Sequence, residues 1–183
     1  MKRAFIIHGW GGNPKEGWHP SLAKELEKNG FKVTIPSMPD TDNPKIDKWV
    51  THLKKAVKKA DSDTYFIGHS IGCQTILRYL QTVDSKIGGA IFVAGWFSLK
   101  TCEEEEKKIA RPWIETPIDF VKIKKVLPKS TAIFSDNDPY VDYAKNSRIF
   151  KTKLGSKTIL LKNKGHFDMK ELPIVVKEIS AFT

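Results

Sequence analysis

At 183 residues, 40% of them hydrophobic, the chain is long enough to bury a core without disulfide or metal staples, and a single domain spanning residues 1–183 is expected. The apolar run before His8 is too short for a signal-peptide core or a membrane span, and Cys73 and Cys102 form no CxxC pair, so a cytoplasmic setting is expected and export, membrane insertion and a structural zinc site are not. The formal charge of +10 raises the question of a polyanionic partner, but the lysines occur in nearly every segment rather than in one basic arm; they read as solvated helix faces, with no nucleic acid expected.

In chain order, apolar runs of strand length alternate with segments of helical period. Arg3 to His8 opens as a strand and leads into the loop Gly9-Trp10-Gly11-Gly12-Asn13-Pro14. A helix follows from Pro20 to Asn29, with Gly30 to end it, and Phe31 to Ile35 resumes as a strand. Pro36 to Pro44 is loop chemistry; Ile46, Trp49, Val50, Leu53 and Val57 then recur at helical spacing up to about Ala60. Thr64 to Gly68 is a third strand, followed at once by a helix in which Ile71, Thr75, Leu77 and Leu80 share a face. Gly88 to Ala94 is the fourth strand.

After Gly95 the period breaks, and the interval to Pro117 reads as an irregular loop carrying Trp96, Phe97 and Trp113. Helix Ile118–Leu127, strand Thr131–Ser135, helix Val141–Leu154, strand Lys157–Leu161 and a closing helix Met169–Phe182 complete the chain. The alternation predicts an α/β fold, about six mostly parallel strands flanked by helices.

Gly68-His69-Ser70-Ile71-Gly72 is a G-x-S-x-G pentapeptide at a strand-to-helix junction. A serine that must stand clear of a sheet needs a sharp turn with small residues on either side, and the helix that starts there aims its amides at a developing oxyanion. Ser70 is the candidate nucleophile and the amide of Ile71 a candidate oxyanion donor. A serine hydroxyl needs a histidine base and a carboxylate to orient it, in the chain order Ser, acid, His. Downstream of Ser70 the sequence has one histidine, His166, directly after the last strand. For the acid, Asp136 and Asp138 compete in the loop after the penultimate strand; Asp138 is favoured because it stands three residues before Val141 at a helix start, whereas Asp136 could cap the turn. His8-Gly9-Trp10-Gly11-Gly12 has the form of a second oxyanion loop, with the Trp10 amide as donor and Gly11 as the alternative. His8 itself reads as a strand-end histidine bonded to loop backbone. Cys73 reads as a small buried residue. Trp96, Phe97 and Trp113 are candidates to line an acyl pocket, or else to anchor a surface loop.

Taken together, the HGWGG opening, the GHSIG elbow, Arg111-Pro112-Trp113 leading into Ile118–Ile123, the acidic loop ending in Asp138-Pro139 and Gly165-His166-Phe167 resemble the small α/β-hydrolases of the retinoblastoma-binding-protein type, the YdeN-like serine hydrolases. The resemblance implies a compact α/β-hydrolase fold without a large cap domain and a Ser70, Asp138, His166 triad that uses no cofactor and no metal. Hydrolysis of a small ester or amide follows from it, with an aminopeptidase-like amidase or acyltransferase as variants. Some members act chiefly as binding proteins, so a protein partner on a hydrolase scaffold is the other expectation.

Overall fold

The computed structural model describes residues 1–100 and 103–182, so Cys102 lies outside the described residues. Six strands pair in parallel in the order β2-β1-β3-β4-β5-β6: β1 (Arg3–Ile7), β2 (Lys32–Thr34), β3 (Thr64–His69), β4 (Gly89–Val93), β5 (Ser130–Ser135) and β6 (Lys157–Leu161). The central strands β3 and β4 are buried at every residue, because helices cover both faces and no side of the pleat meets water. Edge strands β2 and β6 keep exposed and half-buried positions. Register aligns Ile7 with Gly68, Gly68 with Phe92, Val93 with Ile133 and Ser135 with Leu161, so the loops after β1, β3, β4, β5 and β6 leave from one carboxyl edge.

The helices are α1 (His19–Lys28), α2 (Ile46–Val57), α3 (Ile71–Leu80), α4 (Glu104–Glu115), α5 (Phe120–Val126), α6 (Tyr143–Ile149) and α7 (Pro173–Ser180); α6 runs on into a π-helical turn over Phe150–Leu154. α1 packs with α7, and α3 with α2 and α5. All ten residues of α3 are buried, which makes it the axial helix of its layer. One continuous core joins the sheet to these helices. Among the described residues no helix is long and apolar enough to cross a membrane, and no three His, Cys, Asp or Glu side chains converge as a metal site would require.

The structure departs furthest from the periodicity at two places. The last helix begins at Pro173, not Met169, since the proline ring suits a first helical turn and the residues before it form the loop beyond His166. The larger correction is the interval from Gly95 to Pro117, which contains helix α4. Its acidic first turn has little apolar signal, and its drivers are local: the Glu103 amide donates to Glu106 Oε2 at 2.9 Å, and Lys107–Glu104, Lys108–Glu105 and Arg111–Glu115 pair along its surface. Arg78 ties this helix to α3. It is 2% exposed, donates through Nη2 to the carbonyls of Trp113 (2.8 Å) and Thr116 (2.9 Å), and so satisfies orphan acceptors at the end of α4.

Candidate active site

Reversal of strand order between β1 and β3 opens a crevice at their carboxyl ends, where an open parallel sheet offers a binding site. Ser70 stands there, between β3 and α3, with φ 52° and ψ −120°, a conformation costly for a residue with a Cβ. Its neighbours show why the turn needs glycines. A Cβ on Gly72 would lie 2.3 Å from the Ile7 carbonyl oxygen, and one on Gly68 would lie 2.7 Å from the Cys73 amide nitrogen. The Ser70 amide donates to the Val93 carbonyl at 2.9 Å, anchoring the turn to β4, and Oγ accepts from Trp96 Nε1 at 3.3 Å.

His166 follows β6. Its Nδ1 donates to Asp138 Oδ2 at 2.8 Å, which leaves Nε2 as the acceptor nitrogen. Asp138 is buried, and its Oδ1 accepts from the amides of Tyr140 (2.9 Å) and Val141 (3.0 Å). Burial pushes the Asp138 carboxyl up, but the hydrogen bond and charge of His166 and the two amides outweigh it, so the group sits below the ordinary carboxylate value. Asp136, the competing acid, is exposed and accepts from the Asn163 amide at 2.8 Å.

The two loops are stitched together residue by residue. Ser135 Oγ accepts from Lys164 N at 2.9 Å, Asn137 Oδ1 from Gly165 N at 2.8 Å, and His69 Nε2 donates to the His166 carbonyl at 2.8 Å. Sequence reasoning missed Ser135, Asn137 and His69 as positioning residues, although each lies inside a motif it used.

In the loop after β1, the Gly11 amide donates to Thr41 O and the Gly12 amide to Gly9 O, at 2.9 and 3.2 Å. Gly11, the alternative donor, is thus committed to the loop. Ile71 is the first residue of α3, where an amide has no intrahelical acceptor. His8 bonds backbone on both sides: Nδ1 to Gly9 O at 2.9 Å, and Nε2 accepting from Met38 N at 3.1 Å. Burial holds His8 below its ordinary pKa; burial and the neighbouring His166 hold His69 at about 3, and burial and His8 hold His19 at about 4.

A cavity of about 510 Å³ lies over Ser70 and His166, walled by Trp10, Trp18, Trp96, Leu99, Tyr140 and Phe167. Its charged lining is Glu16, Glu106 and Asp168, with no lysine or arginine among the described residues. Trp96 faces this cavity; Phe97 and Trp113, the other two candidates for it, do not and instead anchor to the core. Phe97 packs on Phe120 and Phe150, and Trp113 is buried in a T-shaped contact with Trp49, its Nε1 donating to Pro44 O at 2.9 Å. Cys73 is buried, which pushes its thiol well above the ordinary value.

A parallel sheet with a strained serine turn after the strand beside β1 is the α/β-hydrolase arrangement. The crystal structure of the ydeN gene product of Bacillus subtilis superposes with a TM-score of 0.90 at 25% identity, covering 100% of this chain and 98% of the other. Est1E from Butyrivibrio proteoclasticus shares the fold at a TM-score of 0.76 and 15% identity, over 100% of this chain and 86% of its own. The chain belongs to the serine hydrolase family, which matches residues 4–172. In sequence it is similar to YdeN of Bacillus subtilis (strain 168), 27% identical over 99% of this chain and 96% of the relative, and to the serine hydrolase RBBP9 of Rattus norvegicus, 26% identical over 98% and 94%.

Proposed function

We propose that the protein hydrolyses a small ester or amide through an acyl-enzyme formed on Ser70. The observation that carries this is the 2.8 Å bond from His166 Nδ1 to the buried Asp138 carboxylate, at the same sheet edge as the strained Ser70 turn. Asp138 keeps the proton on Nδ1 and faces the imidazolium that forms. His166 Nε2 then accepts the Ser70 proton as Oγ bonds to the substrate carbonyl carbon, and returns it to the departing oxygen or nitrogen. Water repeats the sequence on the acyl carbon and frees Ser70. The amides of Trp10 and Ile71 hold the oxyanion in each tetrahedral intermediate.

Supporting the ester reading, the structural relative Est1E is known with ferulic acid bound, and another relative of the same fold is a naproxen esterase. Incubation with a fluorophosphonate tests the proposal: folded protein should be labelled at Ser70, and Ser70→Ala should abolish both labelling and ester turnover. Folded protein that stays unlabelled refutes it. Comparing aminoacyl amides with short-chain esters separates the amidase from the esterase form.

A further inference from the structure

The loop after β4 is built more tightly than a pocket wall needs. Ala94 holds φ 48°, a left-handed value that a residue with a Cβ keeps only when its surroundings enforce it. A Cβ on Gly95 would stand 2.7 Å from Phe150 Cζ, so the backbone lies flush on the core. The Trp96 carbonyl accepts from Gln74 Nε2 at 2.7 Å, and buried Asn146 fixes the next residues, its Oδ1 accepting from Phe97 N at 2.7 Å and Ser98 N at 3.2 Å. Gln74 belongs to α3, the helix that starts at Ser70, which registers the loop on the serine's own helix. The result is an indole, 2% exposed, whose Nε1–H donates to Ser70 Oγ at 3.3 Å.

Resting on the reading of Ser70 as nucleophile, we propose that Trp96 is a further catalytic residue, its indole N–H stabilising negative charge on Oγ. In acylation, His166 takes the Ser70 proton, the Oγ–carbon bond forms, and the electron pair of the carbonyl moves to its oxygen; charge passes through Oγ on the way. In deacylation His166 takes a proton from water as the water oxygen bonds to the acyl carbon, and the Oγ–carbon bond breaks. Oγ leaves with the electron pair until His166 returns the proton. A donor bonds a charged oxygen about twice as strongly as a neutral one, so the N–H favours both transition states over the resting hydroxyl. Indole is a donor only and keeps its proton throughout.

Replacing Trp96 by benzothienylalanine tests this, because sulfur takes the place of N–H within the same bicyclic outline. The rate of Ser70 labelling by a fluorophosphonate and kcat for a p-nitrophenyl ester should each fall about tenfold, with KM within about twofold. Rates within about twofold of the unmodified protein overturn the inference while leaving Ser70 as nucleophile. Failure of the unmodified protein to label would remove the underlying reading as well. Should the substituted chain not fold, the natural protein supplies a second measurement: the Trp96 indole proton resonance, assigned by its loss in Trp96→Phe, should move upfield once Ser70 is phosphonylated and its Oγ becomes a poorer acceptor. An unmoved resonance also overturns the inference.

Discussion

Asp136 and Asp138 are two positions apart and chemically alike, yet one is exposed and bonded to a single loop amide while the other is buried against His166. Asp138→Asn should therefore lower kcat by about 10⁴ with an intact fold, whereas Asp136→Asn should stay within several-fold; steady-state ester kinetics on the two variants decides it. Ser70, Asp138 and His166 could be singled out as candidates because each falls inside a local pattern at a strand end. Trp96, Phe97 and Trp113 were not separable, since which of them faces the cavity depends on how Phe150 and Pro44 meet them across the fold. Histidine burial was equally hidden from the sequence, and it has a consequence for acid stability. His69 and His19 titrate at about 3 and about 4 when folded, against an ordinary value of 6.5. The unfolded chain therefore takes up protons below pH 6.5 that the folded one refuses, so stability is full above that pH and declines as it drops toward 4 and then 3. Each group contributes a slope of at most about 1.4 kcal/mol per pH unit, readable as a falling urea midpoint.

At the scale of elements, the strand and helix order could be read almost throughout, because burial of β3 and β4 writes itself into short, mostly apolar runs and α3 shows an apolar face at helical spacing. α4 escaped that logic: only Ala110 and Trp113 are buried on it, and Pro112 lies within it. Besides the buried Trp113, α4 is held by Arg78, a cation whose own pKa is lowered by burial to about 10 and which therefore stays charged at neutral pH. Arg78→Met should cost about 2–4 kcal/mol, because it leaves the Trp113 and Thr116 carbonyls without a donor. Arg78→Lys should recover only part of that, since an ammonium lacks the planar fork. Denaturant unfolding of the three proteins measures both numbers.

Seen as a whole, the molecule carries a net charge of +10 while its cavity is lined by Glu16, Glu106 and Asp168. Within a Debye length of about 8 Å the local acids dominate the potential, so an ester bearing a carboxylate should be turned over more slowly than its neutral isostere. Because the three acids are exposed, the gap in kcat/KM should narrow as salt is added. The left-handed turn at Ser70 has a further consequence, in evolutionary terms. Ser70→Gly and Ser70→Ala both discard the hydroxyl, but only glycine relaxes at φ 52°, so the glycine variant should be the more stable by about 1 kcal/mol in thermal or denaturant unfolding. Selection for durability alone would favour glycine here, so a serine that persists at this position in descendants of this chain would be held by its hydroxyl and not by folding.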